Sequence, residues 1–283
     1  MSSINLYLKN NNIKVKIRNK YMSNDPLLIQ TVQISSFKIL ITALKDILIE
    51  TNITFDSNGM KIINMDKSQT ILVHLMLYSD KFETYICNKE KIVIGVNMSH
   101  LFKLINTIDN DETLSIYIQD EDYNDGIIEF LSLKFENKEK QQYKIQKLKL
   151  IEPSQEELEI PDVTFSSIIN LPSSDFQKII RDLQSISDKL EIRSYDNNLS
   201  FKCNGPFAIV ELNRTQSNNM NVVKTPNKII QGLFSLKYLN YFIKCTPLCN
   251  QIEFYLDNDM PLIIKYNVSD LGDIKLGLSP LPS

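Results

Sequence analysis

Apolar and polar residues alternate along most of the chain, which is the pattern of β-strands with one buried face. Before residue 150 this alternation predicts strands at 27–33, 53–55, 60–64, 70–78, 114–118, 127–135 and 143–148. After Pro161 it predicts strands at 165–171, 190–194, 199–203, 207–213, 252–256, 262–268 and 274–278. The chain is therefore expected to be mostly β.

Four segments have a helical spacing of apolar residues instead, at 35–50, 99–107, 173–185 and 235–245. Each begins at a serine, whose hydroxyl can accept a hydrogen bond from a backbone N–H of the first turn, so each serine is expected to cap its helix. The helices fall into two pairs at similar offsets, so that one order of strands and helices recurs. This internal repeat predicts an α+β fold with two similar β-rich domains, each with two helices on one face.

The two repeats are expected to form domains at 27–150 and 163–283, in line with a length of 283 residues. The segment between them, 151–162, contains Pro153, Pro161 and five acidic residues but no base. Proline and charge of one sign favour an extended, solvated chain. We therefore predict an interdomain connector at 151–162.

The N-terminal extension, 1–26, has its own pattern. Apolar residues alternate with polar ones at 4–8 and again at 13–17, and three asparagines at 10–12 separate the two runs. This pattern is typical of a β-hairpin, and five bases against one acid make the extension basic. We predict a hairpin packed on the body of the protein, with its basic face available to DNA or an acidic partner; the alternative is a flexible, Asn-rich tail.

Residue usage excludes several kinds of chemistry. Only 7 glycines are present, and the one phosphate-loop lookalike, at 272–279, has Leu278 where that motif requires lysine. The four cysteines form no C-x-x-C pair, and the only histidines are His74 and His100, so no zinc site or nucleophile motif is recognisable. No signal segment opens the chain, and its longest apolar run is broken by polar residues. We therefore expect a soluble protein without cofactor, metal, membrane partner or enzymatic activity.

Basic residues on the predicted helices change this picture. The chain has a formal charge of −3, yet bases recur on one face of the four helices. These residues are Lys38, Lys45, Lys103, Lys178, Arg181, Lys237 and Lys244. They could simply be solvent-facing charges of surface helices. Their concentration on four related helices of an acidic protein favours a polyanion bound at one surface.

Short segments from about residue 27 to 280 carry a family resemblance. They are ALKD at 43–46, NMD at 64–66, FETY at 82–85, GVNM at 95–98, IP at 160–161, IRDL at 180–183, YLNYF at 238–242, TPL at 246–248 and PL at 261–262, with Lys244 and Tyr266. In this order and spacing they resemble the proliferating cell nuclear antigen family, the eukaryotic-type DNA sliding clamps. The Asn-rich, Gly-poor composition is typical of a divergent member from an AT-rich virus or protist.

The resemblance implies a homotrimeric ring that encircles double-stranded DNA, with helices lining the hole and the seven helix bases facing the phosphates. It implies subunit contacts between edge strands at 143–148 and 207–212, with six interface residues: Tyr143, Ile145, Leu148, Phe207, Ile209 and Val210. A clamp loader would place the ring on DNA. The location implied is the nucleus, or a viral replication compartment in the cytoplasm.

The resemblance also implies a pocket under the connector. DNA polymerase and other proteins would insert a short motif there, with one glutamine and two aromatic residues. The matching positions are Met65, Gln69, Leu72, Leu158, Ile160, Pro161, Pro261, Ser279 and Pro280. Outside the family, Met65, Leu72 and Pro261 would be read equally well as residues that cover the core.

Three positions depart from the family pattern, and two other functions stay open. Gly277 replaces a common pocket aromatic, which predicts a groove that is either wider or differently selective. Asp196 replaces a lysine used for ubiquitin attachment, and Asn106 lacks a positive charge. The main alternative to a ring is a monomeric polymerase accessory factor of the same fold that holds DNA by charge. An enzyme would need a carboxylate site at 120–122, which is more typical of a solvated loop between strands.

Overall fold

The computed structural model describes residues 25–124, 126–155, 158–161 and 163–282. The hairpin predicted from the patterns at 4–8 and 13–17 lies outside the described residues. Within the described ranges, no helix is long and apolar enough to cross a membrane.

Four α-helices lie where the helical spacing predicts them. They are α1 (Ile34–Leu44), α2 (Met98–Ile105), α3 (Ser173–Gln184) and α4 (Leu236–Phe242). Three short 3-10 segments accompany them, at Ser79–Lys81, Asp120–Asp122 and Ile243–Leu248. Helix α1 is shorter than the predicted 35–50, because the chain turns after Leu44 and a strand begins at Glu50.

The prediction that serines cap the helices is wrong. At α2 the cap is Asn97, whose side chain accepts a hydrogen bond from the His100 backbone N–H at 3.1 Å. Ser173 lies inside α3, where its hydroxyl donates to the backbone oxygen of Cys249. Neither α1 nor α4 has a side-chain cap hydrogen bond. The serines therefore mark where helices begin without performing the capping.

Twenty strands make up the rest of the regular structure in the described ranges. The first half contains β1 (Leu27–Thr31), β2 (Glu50–Asp56), β3 (Gly59–Met65), β4 (Ile71–Tyr78), β5 (Thr84–Cys87), β6 (Lys91–Asn97), β7 (Thr113–Ile118), β8 (Tyr123–Asn124), β9 (Ile127–Ile128), β10 (Phe130–Asn137) and β11 (Gln142–Lys149). The second half contains β12 (Ser167–Pro172), β13 (Lys189–Tyr195), β14 (Asn198–Asn204), β15 (Ile209–Thr215), β16 (Asn221–Lys224), β17 (Ile230–Ser235), β18 (Gln251–Leu256), β19 (Leu262–Val268) and β20 (Gly272–Leu278). The α+β class and its duplication are as predicted.

One antiparallel sheet of nine strands joins the two halves, in the order β16-β12-β18-β19-β20-β4-β3-β2-β6. The joint is the pairing of β4 with β20, which runs without a break from Leu77 opposite Gly272 to Ile71 opposite Leu278. A five-stranded sheet, β11-β10-β7-β1-β5, belongs to the first half, and a four-stranded sheet, β15-β14-β13-β17, belongs to the second. Strands β8 and β9 form a separate hairpin.

The helices pack their apolar faces on a core that is continuous through both halves. In α1 the buried residues include Phe37 and Leu40, and in α3 they include Phe176 and Ile179. Burying a side chain of this size contributes roughly 1.5–3 kcal/mol. Helix α1 contacts α2 on one side and the 3-10 segment after α4 on the other, and that segment also contacts α3. The four helices therefore form one continuous layer, with their polar faces directed away from the core.

Candidate nucleic-acid interface and docking sites

A groove of about 580 Å³ opens between the polar faces of α1 and α3, beside α4 and the segments that follow α2 and α4. Lys38 from α1, Arg181 from α3 and Lys244 from the 3-10 segment line it, and Asn106 lies at its edge after α2. No carboxylate is among the described residues that line the groove. Both halves of the chain therefore supply positive charge to one concave surface.

Lys45 and Lys244 are held by one carboxylate. Lys45 Nζ lies 2.9 Å from Asp46 Oδ1, and Lys244 Nζ lies 2.6 Å from Asp46 Oδ2. Partial burial acts to raise the pKa of the Asp46 carboxyl, but hydrogen bonds from Lys244 and Lys45 outweigh it and hold the pKa below its usual value. Asp46 is therefore ionised at neutral pH and connects the first half of the chain to the second.

Lys38 is also engaged within the protein. Its Nζ donates a hydrogen bond to the backbone oxygen of Ile108, at 2.6 Å, and its side chain is partly buried. Gln177 on α3 makes a similar bond to the backbone oxygen of Ile243, at 3.2 Å. These carbonyls lie in the segments that follow α2 and α4. Both side chains therefore tie one helix of a half to the end of the other.

The remaining predicted bases are exposed. They are Lys103 on α2, Lys178 and Arg181 on α3, and Lys237 on α4. Lys237 Nζ lies over the Tyr238 ring, 5.9 Å from its centroid. The seven bases thus fall into two groups: three that are bonded to protein groups and four whose charges face solvent.

The two predicted subunit edges are sheet edges in the structure. Strand β11 ends the five-stranded sheet, and β15 ends the four-stranded sheet. Tyr143 and Ile145 are 63% and 48% exposed on the first edge, and Phe207 and Ile209 are 74% and 67% exposed at the second. Unpaired backbone groups beside exposed apolar side chains are the features of a strand that can pair with another chain.

Two residues expected at the subunit interface are placed differently. The Leu148 side chain is buried beneath its own sheet, with 4% exposed. Val210 is partly buried and packs against the core of its own half. Successive side chains of a strand point to opposite faces, so these residues share their strands with the exposed ones but direct their side chains inward. The Leu148 side chain is thus turned away from the exposed face of its edge, and the Val210 side chain is only partly exposed.

The predicted partner pocket contains an apolar row that crosses the sheet on its outer face. The row follows the register through Met65, Leu72, Gly277, Ile263 and Tyr255. Sequence reasoning missed Ile263 and Tyr255, although the alternation in β18 and β19 already placed them on the same face. The row spans both halves because β4 and β20 pair.

Gly277 does not widen this row. A Cβ atom at this position would lie 2.9 Å from Ile263 Cδ1 and 3.3 Å from Leu72 Cβ. The neighbouring side chains therefore already occupy the space around the glycine. This close packing of Leu72 and Ile263 argues against a wider groove, whereas a difference in selectivity stays a prediction.

The turn between β3 and β4 has a fixed shape. Gln69 has a φ of 54°, and the Asp66 carboxylate accepts hydrogen bonds from the backbone N–H groups of Thr70 and Ile71, at 2.7 and 2.6 Å. Partial burial acts to raise the pKa of Asp66, but these bonds and those from Ser68 outweigh it and lower the pKa. The Ser279 backbone N–H donates to the oxygen of Thr70, so the C-terminal segment that contains Pro280 is attached to this turn.

The connector is anchored at its beginning. The Ile151 backbone N–H donates to the Gly95 oxygen at 3.0 Å, and the Asn52 side chain forms two hydrogen bonds with the backbone of Ser154, at 2.7 and 2.9 Å. A Cβ at Gly95 would lie 2.5 Å from the Ile151 oxygen, so this close approach needs glycine. Beyond the anchor, the connector has no strand or helix at its described residues.

A cavity of about 850 Å³ lies beside the predicted pocket, between this anchored segment and the outer faces of β2, β3 and β6. Of the nine predicted pocket residues, Leu158 lines it. Leu158 and Ile160 are 37% and 39% exposed, and Pro161 is exposed as well. Met65, Leu72, Pro261, Ser279 and Pro280 are partly buried, and Gln69 is exposed. The connector thus exposes apolar side chains, and Leu158 does so at a cavity over β2, β3 and β6.

Two acidic positions from the sequence analysis have structural explanations. Asp120–Asp122 forms a 3-10 turn after β7, and Lys147 Nζ lies 2.7 Å from Asp122 Oδ2. Asp196 has a φ of 46° at the tip of the β13–β14 hairpin, a conformation that aspartate tolerates. Within the residues that the structure describes, no group of three histidine, cysteine or acidic side chains could hold a metal ion.

Comparisons with known proteins agree with this geometry. Residues 27–157 match the family model "Proliferating cell nuclear antigen, N-terminal domain", and residues 159–281 match the C-terminal domain model of the same family. The chain is also 32% identical over 269 residues to the "Probable DNA polymerase sliding clamp 1" of Paramecium bursaria Chlorella virus 1, covering 93% of this chain and 100% of that protein. The two models together cover almost the whole described chain, and the chain belongs to the proliferating cell nuclear antigen family.

Proposed function

We propose that this protein is a DNA sliding clamp: a non-enzymatic ring that encircles duplex DNA and tethers a DNA polymerase to it. The observation that carries the proposal is the continuous layer of four helices, whose exposed bases and carboxylate-free groove belong to a chain of net charge −3. A positive surface on a net-negative protein attracts a polyanion to that surface and repels it elsewhere.

The helix bases suit phosphate contacts without base readout. Lysine and arginine bind phosphates through charge and hydrogen bonds, and such contacts carry no direct sequence information. They also allow a protein to slide along DNA, because one set of phosphates can be exchanged for the next. The clamp would therefore hold any duplex, and its hold would weaken steeply as salt is added.

Ring closure would use the edges of β11 and β15. Head-to-tail contacts between two different surfaces close a ring when the rotation permits it. The exposed Tyr143 and Ile145 on one edge, with Phe207 and Ile209 at the other, support such a contact. A homotrimer is the assembly that we propose, and a clamp loader would have to open it to admit DNA.

The mass in solution tests this assembly and separates it from a monomeric accessory factor. Sedimentation should give three times the 32.7 kDa chain mass for the wild type. Ile209→Asp should release monomers, because a charge would be buried at the subunit contact. Ile127→Asp is the matched control, since Ile127 is 69% exposed and Ile209 is 67% exposed, and Ile127 lies on a separate hairpin. A monomeric wild type would contradict the ring and favour the accessory factor.

The same proposal assigns partner docking to the apolar row and the exposed connector residues. Binding energy at such sites is concentrated in a few buried anchor residues. A short motif with a glutamine and two aromatic residues, carried by a polymerase or another replication protein, would place its aromatic rings against Met65, Leu72 and Ile160. The anchored beginning of the connector would hold one wall of this pocket in place.

Calorimetry with a peptide of that motif tests the pocket. Ile160→Glu should weaken binding at least about 30-fold, the equivalent of the roughly 2 kcal/mol that defines an anchor residue. Val163→Glu is the control, because Val163 and Ile160 are equally exposed at 39% and only Ile160 belongs to the proposed pocket. Equal binding by the two variants would remove the connector from the docking site.

A further inference from the structure

We propose that Asp46 is a positioning residue that withholds Lys45 and Lys244 from the DNA backbone, so that the clamp binds DNA more weakly than its helix bases would allow. This inference rests on the proposed DNA-binding function and assigns to that function an acidic residue that opposes it. The family resemblance, by contrast, implies that both lysines face the DNA phosphates.

The geometry of the three side chains carries the inference. Asp46 uses a separate oxygen for each lysine, at 2.9 Å to Lys45 Nζ and 2.6 Å to Lys244 Nζ. Each lysine also lies over an aromatic ring, with Lys45 Nζ 4.6 Å from the centroid of Phe102 and Lys244 Nζ 5.5 Å from that of Tyr241. Both ammonium groups are therefore held against the protein instead of extending into solvent.

The ion pairs of Asp46 lie just after the C-terminal end of α1 and connect the two halves of the chain. Asp46 follows α1 in the first half, whereas Lys244 lies in the 3-10 segment of the second half, 198 residues away along the chain. The groove beside them has no carboxylate among its described lining residues. By pairing with Lys45 and Lys244, Asp46 thus limits the positive charge next to this groove that is available to a ligand.

The contacts are strong enough to hold the lysines and weak enough to be exchanged. The side chains of Asp46, Lys45 and Lys244 are 25%, 24% and 38% exposed, and ion pairs at partly exposed sites are modest in strength. A phosphate can therefore compete with Asp46, but each lysine must leave its carboxylate before it can bind a phosphate. A clamp whose Asp46 pairs with these lysines binds fewer phosphates at a time and slides along DNA with less resistance.

Salt-dependent binding to a short labelled duplex tests the inference with the full chain. Asp46→Asn keeps the shape of the side chain and removes its charge, so both lysines become free to reach phosphates. The slope of log affinity against log salt should then steepen by up to about 1.8, which is about 0.9 for each additional phosphate that a lysine neutralises. Between about 50 and 200 mM salt, the variant should lose roughly tenfold more affinity than the wild type does.

Asp182→Asn is the matched control. Asp182 is an exposed acid on α3, and the described structure gives its carboxylate no ion pair, so the substitution adds the same charge without freeing a lysine. Its salt slope should equal that of the wild type. Equal slopes for Asp46→Asn and Asp182→Asn would overturn the inference, because the effect would then be one of net charge alone.

A third background separates DNA contact from stability. In a Lys45→Met, Lys244→Met background, Asp46→Asn should leave the salt slope unchanged, whereas a merely structural Asp46 would still alter binding. A change of slope in this background would overturn the inference. A wild type that does not bind duplex DNA in a salt-dependent way would overturn the proposed function itself, which is a different result from equal slopes in the two asparagine variants.

Discussion

The two halves of the chain repeat one backbone plan but use the polar faces of their helices differently. Lys38 in α1 and Gln177 in α3 each follow a buried phenylalanine, and each donates a hydrogen bond to a backbone oxygen after the next helix of its half. One of these side chains is charged and the other is neutral. The shared task is therefore to hold two helices together, and the charge of Lys38 is not needed for it.

The other helix bases also differ between the halves in how many of them are bonded to the protein. In the first half Lys38 and Lys45 are partly buried and bonded, and Lys103 is exposed. In the second half Lys178, Arg181 and Lys237 are all exposed, and Lys244 is bonded to Asp46 of the first half. The number of bases on a helix is thus a poor measure of the charge that it offers to DNA, because a base already bonded to the protein must give up that bond.

Two triple variants test whether the helix bases of the two halves contribute differently to DNA binding. Changing Lys178, Arg181 and Lys237 to alanine should reduce the salt slope of DNA binding by about 2.7, or about 0.9 for each phosphate that is no longer neutralised. Changing Lys38, Lys45 and Lys103 to alanine should reduce it by only about 0.9, since Lys103 is the exposed member. Fluorescence anisotropy with a short duplex over a range of salt measures both slopes.

Each triple variant removes three positive charges, so net charge is matched between them. Sedimentation and circular dichroism should show the wild-type mass and fold for both, since neither set includes a residue of the apolar core. Equal reductions of slope would mean that the first-half lysines leave their protein partners at no cost, and the difference between the halves would have no functional meaning.

Much of the fold follows from the periodicity of the sequence, and its failures have local causes. Fourteen strands and four helices were predicted at positions where strands and helices exist. Strand β6 was missed because Ile94, Gly95 and Val96 are consecutively buried, so it lacks the alternation of a half-exposed strand. The connector causes this burial by crossing Gly95. Strand β16 was missed because it is short and mostly exposed.

The candidate site was less predictable than the fold. Periodicity places Lys45, Lys103 and Lys178 on helices, but it does not show which of them already has a partner. The partners are distant in the chain: Lys244 reaches Asp46, and Lys38 reaches Ile108, 70 residues away. Leu148 was grouped with Tyr143 and Ile145, although it lies an odd number of positions from both, so the alternation of a strand alone puts its side chain on the opposite face.

The smallest expected effect is the change in stability when Lys38 alone is replaced, which tests whether this lysine holds two helices together or contacts DNA. Lys38→Ala should lower the free energy of unfolding by about 1.5 kcal/mol, because the buried oxygen of Ile108 would lose its charged donor. Lys38→Gln should stay within about 0.5 kcal/mol of the wild type, because glutamine does the same task at the repeat-related position 177. Urea unfolding measures both free energies.

Lys178→Gln serves as the DNA-binding control: it should reduce the salt slope by about 0.9, whereas Lys38→Gln should leave the slope unchanged. A loss of slope in Lys38→Gln without a loss of stability in Lys38→Ala would reverse the assignment and make Lys38 a DNA contact.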